Sequence, residues 1–371
     1  MKKIKNVMLT VTEKCNLNCL YCFEGNKRFR SMKFDTAIRT IENEMNEENE
    51  YEEILFDFMG GEPFAEFELI REICEYTWSK EWNKRYLFFA STNGTLVHGE
   101  IQKWLEQHKE DFICGISLDG LPEVHNHNRS NSYYEIDINF FLRLWPLQEA
   151  KMTIYPDNLD KLAESIIYLH DLGFRVKSNL AYGPNWNSKS KLEEYEVALN
   201  RLCDFYLLNL DVEPSTIINM DLIPIAYPSE PIHKWCGMGG QMVAYDIDGK
   251  KYPCHFFQDM TSGKINYEEL IKTDFDNIQN SLSEKCRNCI LRNTCSTCYG
   301  YNYSNTGDFG KKENGLCMFK KVSAIATSTL TYRRLNIEYN GDFSDISFDA
   351  KQKLLAVKII QNAAQNNNWE I

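Results

Sequence analysis

Apolar and polar side chains alternate through residues 4–11 as a β-strand requires, and the spacing of Ile38, Ile41 and Met45 predicts a helix from Asp35 to Asn46. The same pattern then repeats. Strands are predicted at Glu53 to Met59, Arg85 to Ser91, Phe112 to Leu118, Lys151 to Tyr155 and Phe174 to Leu180. Helices are predicted through Ile70, Ile73 and Trp78, from Gly99 to Gln107, and from Asn158 to Leu172.

Alternating strands and helices imply an α/β fold with a parallel sheet and right-handed crossovers. A sheet of this length that curls on itself is a partial (β/α)6, TIM-like barrel. Ligands in such folds sit beyond the carboxyl ends of the strands, where this chain concentrates its sharpest motifs. A cysteine loop follows the first strand, Gly60-Gly61-Glu62-Pro63 the second, Thr92-Asn93-Gly94 the third and Ser117-Leu118-Asp119-Gly120 the fourth. Further on, a long helix is predicted from Leu192 to Leu210, then a Pro-rich boundary around Pro214, Pro224, Pro228 and Pro231. The expected domains are a barrel at 1–212, a linker at 213–232, a cysteine-rich domain at 233–320 and C-terminal helices at 321–371. Those helices are predicted at Phe319 to Arg334 and Phe348 to Asn362.

Composition narrows the possible partners. The chain has 371 residues, 43% of them hydrophobic, which is enough for about two packed domains. A net charge of −12 argues against nucleic acid or an anionic membrane as the main partner. The amino terminus lacks the apolar run of a signal peptide, and no stretch has the length of a membrane span, so the expected location is cytoplasmic. Thirteen cysteines in such a chain point to metal or redox chemistry rather than to disulfides.

Cys15, Cys19 and Cys22 have the spacing C-x3-C-x2-C. Three thiolates so placed can each bind one iron of a four-iron cluster and leave the fourth iron open. A zinc site is the alternative, although structural zinc is closed by four protein ligands and no His or Cys follows nearby. The motif, with aromatic Tyr21 before the last cysteine, resembles that of radical S-adenosylmethionine (SAM) enzymes. The resemblance implies that Gly60, Gly61 and Glu62 hold the methionine amino group of SAM. It also implies that Asn93, Ser117, Asp119 and Arg129 hold its ribose and carboxylate; for each of these, a turn residue capping a strand end is the equal alternative. His125 and His127 are given no role, and Cys74, Cys114 and Cys203 read as core residues.

A second group of seven cysteines comprises Cys236, Cys254, Cys286, Cys289, Cys295, Cys298 and Cys317. The middle run suits a zinc ribbon. The whole resembles the SPASM extension of radical SAM enzymes, which binds two auxiliary four-iron clusters, making three [4Fe–4S] clusters in all. By that resemblance Cys236, Cys254 and Cys298 hold the near cluster, whose fourth position is open or filled by Glu230 or His233. Cys286, Cys289, Cys295 and Cys317 hold the distant one. His255 follows Cys254 where sulfatase-maturating relatives carry an Asp base, and is the candidate catalytic base; a His merely hydrogen-bonded beside the cluster is the equal alternative.

The expected function is therefore a radical SAM oxidoreductase acting on a ribosomal peptide or protein and forming a cross-link such as a thioether. A formylglycine-forming sulfatase maturase or other SPASM dehydrogenase is the alternative enzyme, and a non-enzymatic iron–sulfur or zinc protein the alternative class. Expected partners are the peptide or protein substrate and a low-potential donor such as flavodoxin or ferredoxin; for a substrate with a leader peptide, recognition is expected from a separate leader-peptide-binding protein, the C-terminal helices or the barrel mouth, since the first strand begins at residue 4.

Overall fold

A computed structural model describes residues 3–366 apart from 229–233, 235, 264, 313 and 314. The predicted strands form at β1 (Ile4–Thr12), β2 (Glu53–Gly60), β3 (Arg85–Thr92), β4 (Phe112–Ser117), β5 (Glu149–Ile154) and β6 (Arg175–Leu180), all parallel. Between them lie α1 (Phe34–Asn46), α2 (Phe67–Trp78), α3 (Glu100–Gln107), α4 (Pro122–Asn128), α5 (Ile138–Leu144) and α6 (Leu162–Asp171). Two of these, α4 and α5, were not predicted. They are short, at seven residues each, too short to show a helical period.

The sheet does not end with the barrel strands. Its order is β6-β5-β4-β3-β2-β1-β7-β8, where β7 (Met242–Tyr245) runs parallel to β1 and β8 (Lys251–Tyr252) antiparallel to β7. The cysteine-rich region thus adds a short hairpin to the open edge of the barrel. Four- and two-residue strands leave little periodicity to read.

Successive strand positions face opposite sides. Val7, Leu9, Val11, Ile54, Phe56, Phe58 and Phe88 are fully buried in the main core, while intervening positions such as Thr10, Asp57, Ser91, Ser117, Lys151 and Thr153 form a polar lumen face. Beyond the barrel come α7 (Lys189–Leu208), α8 (Tyr299–Thr306), α9 (Leu316–Glu338) and α10 (Phe348–Gln365). Helix α9 packs along α7, with Tyr195 Oη 2.8 Å from Ser323 Oγ and the Phe319 ring against Trp186 and Tyr195. The expected boundary at 320/321 therefore falls inside a helix that belongs to the barrel core. The expected linker is also packed down: Thr216 Oγ1 accepts from Ser178 N at 2.9 Å and donates to Ser178 O at 2.7 Å, covering the free edge of β6. Among the described residues no helix is long and apolar enough to cross a membrane.

Candidate active site

The cysteine loop leaves β1 at a register shift between Thr10 and Thr12 and returns as an antiparallel bridge from Ser31 to Thr12. Buried Glu13 fastens its base, accepting from Arg28 N at 2.9 Å and from Arg30 Nη2 at 3.1 Å. Cys15 and Cys19 are half-buried and Cys22 is exposed. Burial pushes the Cys19 thiol up to about 11, with Arg129 pulling the other way. Lys27 Nζ donates to Cys22 Sγ at 3.3 Å, and Leu17 N donates to Cys15 Sγ at 3.5 Å.

Gly60 and Gly61 press against this loop. A Cβ on Gly60, whose φ is +147°, would lie 1.9 Å from Thr12 O, and one on Gly61 would lie 2.2 Å from Lys14 O. Only glycine permits this approach. Glu62 N donates to Lys14 O at 2.7 Å. The Glu62 carboxylate turns inward: Oε1 accepts from Thr92 Oγ1 at 2.7 Å and Phe64 N at 3.2 Å, and Oε2 from Asn93 N at 2.8 Å. Burial raises its carboxyl to about 7 despite these donors. A carboxylate has about four acceptor positions, so one remains for a further donor. Asn93 Nδ2 reaches across to Asn16 Oδ1 in the cysteine loop at 3.0 Å.

Asp119 is fully buried and joins three segments. Its carboxylate accepts from the Tyr21 hydroxyl, from Asn128 Nδ2 at 3.2 Å and from Thr153 N at 3.1 Å, and pairs with Arg129 Nε at 3.1 Å. Arg129 also lies over the Tyr21 ring, 5.3 Å from its centroid. Asp119, Tyr21 and Cys19 keep its guanidinium charged against the pull of burial. The loop docks here as well, through Leu20 N to Asn128 O at 2.9 Å and Asn18 N to Ser130 Oγ at 2.9 Å. His125 supports this hub from behind: Asp119 N donates to its Nδ1 at 3.4 Å, and its Nε2 lies 3.1 Å from Ser132 Oγ.

Cys286, Cys289, Cys295 and Cys317 line one cavity of about 790 Å³. Cys236 and Cys298 pack with buried Cys254 around Phe256 and Tyr299, Cys286 packs against the same cluster, and Cys298 also lines a smaller cavity with Cys295 and Cys317. Glu230 and His233 lie outside the described residues. His255 touches Phe23 and Phe256, with ring centroids at 5.5 and 4.7 Å. Its buried Nδ1 has no hydrogen-bond partner among the described residues. Between the two cysteine regions lies a cleft of about 450 Å³, walled by Leu20, Tyr21, Cys22 and Phe23 on one side and Tyr182, Phe256, Ser262 and Tyr301 on the other.

Among the described residues no three His, Cys, Asp or Glu side chains converge on a single-ion site. Cysteine thiolates are the usual ligands of iron–sulfur clusters, so these donor sets are of a kind that fits such groups. The radical SAM superfamily pattern matches residues 9–196, spanning the cysteine loop and the barrel. The chain belongs to the radical SAM superfamily. It is therefore an enzyme that uses SAM and a four-iron cluster.

Two curated proteins illustrate the likeness. An uncharacterized protein of Methanocaldococcus jannaschii is 30% identical over 57% of this chain and 76% of its own length. A cysteine-type anaerobic sulfatase-maturating enzyme of Clostridium novyi is 27% identical over 91% of this chain and 99% of its own. The solved structure of native anSMEcpe with bound AdoMet superposes with a TM-score of 0.69 at 21% identity, over 91% of this chain and all of that one, showing a shared fold.

Within this radical SAM barrel the lumen holds groups that the sequence patterns did not single out. Lys151 Nζ donates to Ser91 Oγ and lies 4.5 Å from the Phe89 ring centroid. Gly115 gives them room, since a Cβ there would lie 2.7 Å from Phe89 Cζ. Asp57 faces the same space, buried, with Oδ1 unpaired among the described residues. Burial raises its carboxyl to about 6, with Lys151 opposing. The available signal was an acid set between Phe56 and Phe58. The aromatic contacts of Phe23, Tyr182 and Tyr301 had no sequence signal, because they join segments far apart in the chain.

Proposed function

We propose that this radical SAM enzyme modifies one residue of a peptide or protein, held in the cleft between its two cysteine regions, and forms a cross-link such as a thioether. The cleft carries the reading. A side chain inside it touches Tyr21, Cys22 and Phe23 on one wall and Phe256, beside Cys254, on the other. The similarity to a protein-modifying enzyme of C. novyi along nearly its whole length supports a macromolecular substrate.

In this reading Cys15, Cys19 and Cys22 hold the SAM cluster. Cys236, Cys254 and Cys298 hold a near auxiliary cluster, and Cys286, Cys289, Cys295 and Cys317 a distant one. When bound, these groups supply a 5′-deoxyadenosyl radical that removes one hydrogen atom from the substrate and an acceptor for the second electron. The chain's own residues prepare the site. Gly60 and Gly61 bring backbone close to the cysteine loop, and Glu62 keeps one acceptor position for an ammonium. Ser117, at the carboxyl end of β4, faces the lumen, and Arg129 supplies positive charge beside Cys19. Aromatic side chains wall the cleft, and His255, packed beside it against Phe23 and Phe256, is the proposed base.

Formylglycine formation is the second reading, favoured by the C. novyi relative. Against it, position 255 is His, and among the described residues no Asp or Glu lines the cleft. The test is anaerobic reconstitution with SAM, reductant and cysteine-bearing candidate peptides, followed by mass spectrometry. Loss of two hydrogens and of the free thiol is expected. An aldehyde in place of the thiol selects the second reading, and SAM cleavage with no altered peptide overturns both.

A further inference from the structure

The walls of the cleft between the two cysteine regions narrow what can fill it. Six of the fourteen described residues that line it are aromatic, Tyr21, Phe23, Tyr155, Tyr182, Phe256 and Tyr301, in a chain that is 13% aromatic as a whole. Tyr21 and Phe23 stand in the cysteine loop, Tyr155 directly follows β5, Tyr182 lies two residues beyond β6, and Phe256 and Tyr301 belong to the cysteine-rich region. The rings brace one another. Tyr182 stacks on Tyr301 with centroids 4.6 Å apart and meets Phe256 edge-on at 5.6 Å. Most polar groups of the cleft are engaged within the protein: Ser262 and Ser304 Oγ lie 2.6 Å apart, and Ser304 Oγ donates to Phe256 O at 3.0 Å. The Tyr21 hydroxyl donates to Asp119, and that of Tyr301 accepts from Gly183 N at 3.0 Å. None of the described lining residues is Asp, Glu, Lys, Arg or His. A charged side chain entering here gives up water without meeting an opposite charge, whereas a ring or a long aliphatic chain gains by leaving water and packs against rings.

We propose that the cleft is a specificity pocket: it selects peptides in which a residue next to the reacting cysteine carries an aromatic or large aliphatic side chain, packed against Tyr182 and Tyr301. The inference rests on the reading that this cleft holds a cysteine-bearing peptide. Size agrees with it. At about 450 Å³ the cleft falls in the range of pockets that enclose a drug-sized ligand, so it has room for a neighbour as well as the reacting side chain. Thr261 Oγ1, which lines the cleft buried and with no hydrogen-bond partner among the described residues, offers a hydrogen bond to the peptide backbone. A cationic neighbour is the competing occupant, because ring faces attract ammonium and guanidinium groups. That attraction is modest where water still reaches the cation, and no carboxylate among the described lining residues adds to it.

The experiment pans a displayed library of random peptides with a fixed central cysteine against reconstituted full-length enzyme. SAM is present and electron donor is withheld, so binding is read apart from chemistry. Phe, Tyr, Trp, Leu, Ile and Met are expected beside the cysteine at about tenfold their input frequency. With Tyr182→Ala/Tyr301→Ala the preference should fall to about twofold or less, and Tyr182→Phe/Tyr301→Phe, which keeps both rings, should retain it. A cationic, acidic or unselected flank, or the same preference from the Ala variant and wild type, overturns the specificity pocket and leaves the peptide reading standing. Iron content of the variants is measured alongside; should the Ala variant lose iron, the wild-type selection alone still decides between apolar and charged flanks. No enrichment of any cysteine peptide over bare matrix overturns the peptide reading and the inference with it.

Discussion

The rings of Phe23 and Phe256 stack with centroids 4.9 Å apart and planes 27° from parallel. Phe23 follows Cys22 and Phe256 stands two residues after Cys254, so this contact ties the two cysteine regions together at the edge of the cleft. The pairing fixes how far the loop stands from the second region, and with it the width available to a substrate.

Replacing Phe23 by Ala should therefore widen the cleft with modest cost to stability, since Phe23 is 40% exposed. SAM cleavage is expected to continue while peptide modification falls about tenfold or more, because a 1 Å displacement can cost about a hundredfold in rate. Comparing 5′-deoxyadenosine with modified peptide measures the uncoupling. Equal loss of both would show that the contact serves the loop itself rather than the substrate.

Gly61→Ala places a methyl group 2.2 Å from Lys14 O, a backbone atom that cannot rotate away. The loop must shift, and iron at Cys15, Cys19 and Cys22 should be lost while iron at the later cysteines is kept. Iron analysis and electron paramagnetic resonance of the reduced protein check this. Full iron content would mean that the loop tolerates the displacement.

Asp119→Ala leaves Arg129 as an uncompensated buried charge. Destabilisation of about 3–5 kcal/mol is expected, read by denaturant unfolding. Asp119→Asn keeps an acceptor for Tyr21 or Thr153 and should cost less. Asp119→Ala and Arg129→Met together should be milder than Asp119→Ala alone.

His125 is fully buried, and burial lowers its pKa from 6.5 to about 4, with Asp119 opposing the shift and Arg129 adding to it. Above pH 6.5 the ring is neutral whether the chain is folded or not, and it contributes no pH dependence. Between pH 6.5 and 4 the unfolded chain binds the proton and the folded one does not, so stability falls as pH falls, by about 3 kcal/mol over the window. Stability curves of wild type and His125→Gln should converge toward pH 4 if the variant starts lower. Asp57 and Glu62, raised by burial, have the opposite slope, but both proteins contain them and they cancel in the difference. Parallel curves would exclude His125 as a source of the slope.

The barrel was legible because its strands carry regularly placed apolar positions, alternating with polar ones in β5 and β6, and because the helices of most crossovers are long enough to show their period. The cysteine loop and Gly60-Gly61 were legible because their chemistry is local: ligand spacing and backbone clearance are properties of a few adjacent residues. Short elements escaped for the converse reason. Helices α4 and α5 and strands β7 and β8 are held by what they pack against, and their own sequences are too brief to specify them.

The sequence by itself determined that thiols would gather at the carboxyl end of β1, and which residue types would meet them there. Only the tertiary structure decided that Glu62 turns inward to Thr92 and Asn93, that Asp119 binds Tyr21 and Arg129 into one buried hub, and that the later hairpin joins the barrel sheet beside β1. The physical reason is the same for all three. A charge or an open strand edge must find partners when the chain folds, and those partners come from segments whose distance in sequence hides them until the fold brings them together.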